Sequence, residues 1–262
     1  MISVNGVELE IQHIPLIRQE STAGPLAPCI FLHEGLGSVA LWKDWPASIC
    51  KSLGCEGWVY SRRGYGHSES IADVRGAGRL KADYMHHEAL EVLPGLIQAL
   101  KINKPLLVGH SDGGTIALIH ASHFAVAGCV VMAPHVMVEE ISIHAINLAR
   151  NNFDKLRPRL AGFHKDVEVA FWQWNDVWLS EEFRNFDIRP LLHNIQSPLM
   201  AIQGTSDPYG TMAQIDEIAA RVSHAQLVKL EHCGHSPHKD KPEEVLQALK
   251  YFSSSLGKIQ RH

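Results

Sequence analysis

The 262-residue sequence has no run approaching the ~18 consecutive apolar residues that a membrane helix requires. Its start, Met1-Ile2-Ser3-Val4-Asn5-Gly6-Val7-Glu8, lacks the basic residues and apolar core of a secretory signal. Neither sign of charge dominates: 24 Lys and Arg stand against 28 Asp and Glu, so there is no basic stripe for phosphate backbones. The five cysteines are an odd number with no CxxC pair, which argues against a disulfide framework and fits a reduced, cytoplasmic protein. Cys29 and Cys129 sit in apolar runs and read as small buried hydrophobes. Repeats and low-complexity tracts are missing as well. What remains is ordinary globular composition, 45% hydrophobic and 20% charged, which excludes a disordered chain, a collagen-like repeat and a charge-rich coiled coil. A small-molecule partner is expected, with no nucleic acid and no membrane, for a monomer or homodimer.

Along the chain, Ile2–Val4 and Leu9–Ile14 flank Asn5-Gly6, a hairpin signal. A loop, Gly24-Pro25-Leu26-Ala27-Pro28, precedes the short apolar run Cys29–Leu32. Helical character follows over 39–53, then a strand at Gly57–Tyr60 and a helical period over 83–100. Strand-like runs at 105–108 and 125–132 enclose a helix over 113–122. Apolar strands alternating with helices predict a mostly parallel sheet with helices on both faces. From 134 to 194 no strand-like run appears; the sheet then resumes at 198–202 and 226–230, with helices near 212–222 and 242–252. The expected organisation is one α/β core from 1–133 and 196–262, interrupted by a helical cap at 134–195, since a segment of ~60 residues rarely holds a core alone.

The chemistry concentrates in Gly109-His110-Ser111-Asp112-Gly113-Gly114, a G-x-S-x-G sequence set between a buried strand and a helix. Glycines flank the serine because so tight a turn leaves no room for a Cβ, and the strain holds the Ser111 hydroxyl above the sheet. A serine needs a base to take its proton and an acid to orient that base. His235, just past the last strand and preceded by Gly234, is the expected base, with His232 and His238 as local competitors. Asp207, ending the preceding strand in Gly204-Thr205-Ser206-Asp207-Pro208, is the expected acid, and Asp187 a distant second. Two backbone N–H groups must receive the oxyanion. One is expected from Asp112 and the other from Gly35, in the His33-Glu34-Gly35-Leu36-Gly37 loop. His232, His235 and His238 have no acidic or Cys set to complete a metal site, and neither metal nor organic cofactor is needed for this chemistry.

These residues resemble the α/β-hydrolase fold superfamily over nearly the whole chain. Arg63-Gly64-Tyr65-Gly66-His67-Ser68 looks like the RGxGxS segment of its lid-bearing esterase branch. Together with Ser111-Asp112-Gly113-Gly114, it is similar to valacyclovir-hydrolase-like esterases. The resemblance implies the α/β-hydrolase fold, a helical lid and ester cleavage through an acyl-enzyme on Ser111.

Three features bear on specificity. Glu34 stands where many members have Gly; it either repels anionic acyl groups, positions a water or makes a surface contact. Phe171, Trp174 and Trp178 fall on one helical stripe, which either glues the lid to the core or gives Trp174 and Trp178 to a substrate pocket. The Asp112 side chain either reaches a cationic group on the acyl part or bonds neighbouring backbone. Two other functions remain compatible with the sequence: C–C bond hydrolysis, perhydrolysis or a lyase reaction on the same triad, and a non-catalytic ligand receptor.

Overall fold

The computed structural model describes residues 1–17 and 26–256; Gly24-Pro25, the start of the expected loop, lies outside the described residues. Asn5 and Gly6 take φ of 51° and 80°, the left-handed pair that a tight hairpin needs, and join β1 (Ile2–Val4) to β2 (Val7–Leu9). The expected second arm does not run on to Ile14. It breaks at Glu10, whose N–H donates to Ser68 Oγ at 2.8 Å and whose carboxylate accepts from Ser61 Oγ at 2.6 Å. Beyond that break, β3 (Ile11–Ile14) joins the main sheet instead.

The main sheet has seven strands in the order β3-β5-β4-β6-β7-β8-β9. They are β4 (Cys29–Leu32), β5 (Gly57–Tyr60), β6 (Leu106–His110), β7 (Gly128–Met132), β8 (Leu199–Gly204) and β9 (Gln226–Leu230). Only the β3–β5 pairing is antiparallel; the rest of the sheet is parallel. Strand residues alternate faces, and the core divides accordingly. Ile30, Leu32, Leu107 and Val131 join one cluster, while Phe31, Val108, Val130 and Ile202 join the other. The second cluster is covered by α1 (Trp45–Leu53) and α10 (Pro242–Ser254) through Ile49, Val245, Leu249 and Phe252. The first is covered by α3 (Leu93–Ala99), α4 (Asp112–His123) and α8 (Ala213–Arg221). Two short helices, α2 (Tyr84–His87) and α9 (Pro237–Asp240), complete this frame.

Two expected helices are interrupted. The stretch 39–53 splits into a 3-10 turn, Ala40–Trp42, and α1, because Lys43 turns to φ 52° and Pro46 fits only a first helical turn. Between α2 and α3 lies a π-helical turn, Glu88–Val92. Pro94 has no N–H for the Leu90 carbonyl and its ring crowds that oxygen; a widened turn relieves both.

The helical insertion between β7 and β8 holds α5 (Glu140–Asn151), α6 (Phe153–Leu160) and α7 (Val167–Trp178), then two 3-10 turns, with one isolated bridge between Met137 and Asp187. Polar bonds fasten it to the core. His164 receives the Gly66 N–H at 3.0 Å and donates to the Leu36 carbonyl at 3.0 Å. Asp176 is gripped by Arg75 of the core at 2.8 Å and, within the insertion, by Arg150. No helix among the described residues is long and apolar enough to cross a membrane.

Candidate active site

Ser111 sits at the junction of β6 and α4 with φ 52° and ψ −120°, a conformation that costs a non-glycine residue about 1–3 kcal/mol. The flanking glycines are there for space. A Cβ on Gly109 would lie 2.3 Å from the Gly113 carbonyl oxygen, and one on Gly113 would lie 2.1 Å from that of Leu32. Both obstacles are backbone, so neither moves cheaply. The Ser111 N–H is tied to the Met132 carbonyl at 2.8 Å, which fixes the turn against the neighbouring strand.

The structure brings Ser111, His235 and Asp207 together. Ser111 Oγ lies 2.9 Å from His235 Nε2, and His235 Nδ1 lies 2.8 and 2.9 Å from the two Asp207 oxygens. A carboxylate only accepts, so Nδ1 carries a proton and Nε2 faces the hydroxyl as acceptor. Asp207 is itself held: Gln203 Nε2 donates to it at 2.8 Å and the Tyr209 N–H at 2.8 Å. Burial pushes this carboxyl up, but the hydrogen bond and charge of His235 and the Tyr209 amide outweigh it and bring it below its ordinary value. The Tyr209 ring lies 4.6 Å from the His235 ring, tilted by 39°.

Of the rejected candidates, Asp187 pairs with Arg189 at the surface and His232 is exposed at φ 51°. His238 is buried against Trp42 and Trp45.

A cavity of about 220 Å³ lies over Ser111, lined by Gly35, Asp112, Trp174, Trp178 and His235. Gly35 and Asp112 thus border the space next to the hydroxyl, where the two amides were expected. An added Cβ on Gly35 would meet Trp174 Nε1 at 2.2 Å, so the lid indole rests directly on this loop. Trp174 and Trp178 reach the cavity, whereas Phe171 packs within the insertion against Phe153 and Trp172.

Glu34 borders the same cavity, and its oxygens are drawn elsewhere: one lies 3.5 Å from His110 Nδ1 and the other 3.7 Å from Lys239 Nζ. His110 in turn donates from Nε2 to the His235 carbonyl at 2.6 Å, which links Glu34 to the loop carrying the imidazole. The Asp112 carboxylate accepts from the Tyr84 phenol at 2.6 Å and faces Arg62 at 4.0 Å, so its partner is a distant side chain rather than neighbouring backbone. Its second oxygen is buried without a hydrogen-bond partner among the described residues.

Sequence reasoning missed His135, Tyr84, Tyr209 and Gln203. His135 lines the cavity with its ring 4.9 Å from that of Trp178 and 5.7 Å from that of His235. Burial, then the nearby His235, lowers its pKa to about 3, so it is a neutral imidazole. Gln203 carried a readable signal, a lone amide near the end of an apolar strand. Tyr84 carried none.

Among the described residues, one group of side chains could hold a metal. The Sγ atoms of Cys29, Cys50 and Cys55 lie within 4.8 Å of one another, buried at the opposite end of the strands from Ser111. All five cysteines are buried free thiols.

The model of the alpha/beta hydrolase family matches residues 29–248. A relative bearing the name of a carbamate hydrolase, RutD of Pseudomonas savastanoi pv. phaseolicola, is 23% identical over 266 residues, covering 86% of this chain and 93% of that one. Among solved structures, the enol-lactonase of Burkholderia xenovorans superposes with a TM-score of 0.70 at 18% identity, covering 96% and 98% of the two chains. An esterase of Exiguobacterium antarcticum does so with a TM-score of 0.70 at 17% identity, covering 96% and 97%. With the family model spanning most of its length and the parallel sheet, sharp serine turn and helical insertion in place, the chain belongs to the alpha/beta hydrolase family.

Proposed function

We propose that the protein is a serine hydrolase that cleaves small carboxylic esters, with Ser111 as nucleophile, His235 as base and Asp207 as the acid that orients it. The observation that carries this reading is the continuous bonded path from Ser111 Oγ through His235 to Asp207, with steps of 2.9 and 2.8 Å. His235 Nε2 takes the hydroxyl proton as Oγ attacks the ester carbonyl, and the Gly35 and Asp112 amides receive the negative oxygen. The bond to the alcohol breaks as His235 returns the proton to it. Water then enters, gives a proton to His235, attacks the acyl group and releases the acid with Ser111 restored. Asp207 remains ionised throughout, fixing the imidazole and stabilising its cation.

The insertion, taken as 134–195, acts in this reading as a cap whose Trp174 and Trp178 line the substrate space. A cavity of about 220 Å³ suits a small acyl group. The Gly64-Tyr65-Gly66-His67-Ser68 segment together with the serine turn favours the valacyclovir-hydrolase-like branch of the family. Glu34 contributes through His110 to the placement of the His235 loop.

A fluorophosphonate probe followed by peptide mapping tests the assignment. Label is expected on Ser111 and lost in His235→Ala. Absence of label from the folded wild-type protein refutes the nucleophile and returns the receptor reading.

A further inference from the structure

A second cavity, about 480 Å³, opens on the far side of Arg62 and Tyr84 from Ser111, and it shares no lining residue with the first. Its walls come from the β1–β2 hairpin, the loop after β5, α2, the π-helical turn and one residue of α7. Val4, Val7, Leu9, Ile71, Leu80 and Val92 make most of it apolar. The volume falls within the ~300–1,000 Å³ typical of ligand sites.

Polar groups line this apolar space without partners. Tyr65 and Gln173 are 2% and 1% exposed, yet the Tyr65 hydroxyl and Gln173 Nε2 have no hydrogen-bond partner among the described residues. The same holds for Glu88 Oε2. Buried polar atoms are ordinarily satisfied, and exceptions in a roomy cavity call for an occupant.

The charges identify its sign. Arg63 is paired with Glu69 at 2.6 Å, His87 with Glu91 at 3.3 Å, and Arg62 donates to the His33 and Glu34 carbonyls while facing Asp112 at 4.0 Å. Glu88 lies within 4 Å of no Lys, Arg or His nitrogen among the described residues, and the charges that act on it, Arg62 and His87, do so from farther away. A carboxylate taken out of water without a partner is unfavourable, and a cation beside it removes that penalty. Tyr84 adds an aromatic ring, whose face attracts organic cations, while the Tyr65 ring already carries the Arg62 guanidinium 4.9 Å from its centroid. The backbone at Glu88 is the π-helical turn, a distortion that recurs at functional sites.

We propose that this cavity is a second binding site, for a small organic cation that sets a primary ammonium against Glu88 and an apolar body among the hairpin residues. The ammonium donates to the Glu88 carboxylate, the Gln173 amide and Tyr65 hydroxyl bond a polar substituent, and the hydrocarbon displaces water from the apolar wall. The site is independent of whether Ser111 is a nucleophile.

Titration calorimetry with 2-phenylethylamine at neutral pH tests it on the full chain. Saturable binding is expected in wild type, weakened by about tenfold or more in Glu88→Gln and nearly unchanged in Glu243→Gln, an exposed carboxylate on α10 outside the cavity. 3-Phenylpropionate, with a carboxylate on a similar body, is expected to bind more weakly by a similar factor. No saturable binding in wild type overturns the proposal, as does unchanged affinity in a folded Glu88→Gln. Binding lost in Asp112→Asn but kept in Glu88→Gln would place the amine over Ser111 and overturn it equally.

Discussion

Asp112 faces two ways at once. The residue borders the cavity over Ser111, its carboxylate takes the Tyr84 hydroxyl at 2.6 Å, and its other oxygen has no hydrogen-bond partner among the described residues. Burial pushes its pKa up and Arg62 pulls it back, so a cation entering the cavity would favour the ionised form. Amino-acyl esters are therefore expected to react with a kcat/KM at least about tenfold above isosteric desamino esters, given that a hydrogen bond to a charged group contributes about 1.5–3 kcal/mol. Asp112→Asn should erase the difference; equal kcat/KM for the two wild-type series removes the idea. At this scale the sequence was uneven. Ser111, Asp207 and His235 were readable because the chemistry demands those types at strand ends in that order. Tyr84 and His135 were not, because each enters the site through tertiary packing from a segment with no motif of its own.

At the scale of elements, the serine turn is the most constrained. Its two neighbouring glycine positions differ sharply: a Cβ on Gly113 would meet the Leu32 carbonyl oxygen at 2.1 Å, while one on Gly114 would meet nothing nearer than the Pro134 side chain at 3.3 Å, with the Gly109 carbonyl oxygen and Val131 at 3.4 Å. Gly113→Ala is expected to destabilise by about 1–3 kcal/mol or more, the range for overpacking, because β4 itself must shift. Gly114→Ala should be distinctly milder. Thermal melts of both variants decide this, and equal midpoints would show that the strand yields easily. The strands themselves were legible as short apolar runs, since burial on both faces leaves no other composition. The breaks were not. Lys43 at φ 52° and the widened turn before Pro94 answer local backbone conflicts that a helical period does not register. Glu10 ends β2 because Ser61 and Ser68, more than 50 residues away, compete for it.

Across the whole molecule, buried histidines set the response to acid. His33, His135 and His238 are 1%, 2% and 4% exposed. Burial, the largest cause for each, is reinforced by Arg62 for His33, by His235 for His135 and by His110 for His238. The pKa falls well below 6.5 for His33, to about 3 for His135 and to about 2 for His238. In the unfolded chain all three take up protons near 6.5, whereas the folded protein holds them neutral. Stability is thus full above about pH 6.5 and is lost as pH falls, at about 1.4 kcal/mol per pH unit for each histidine. Asp207, whose folded pKa is depressed, adds a loss in the same direction at still lower pH. Three such slopes act on a total stability of about 5–15 kcal/mol. The chain should therefore unfold cooperatively between about pH 5.5 and 3, as followed by far-UV circular dichroism. His238→Phe keeps a ring against Trp42 and Trp45 but cannot titrate. Denaturant titrations at several pH values should show its stability falling less steeply with acid, by about 1.4 kcal/mol per pH unit. An unchanged slope would mean that His238 finds a proton-stabilising environment in the folded state, contrary to its burial.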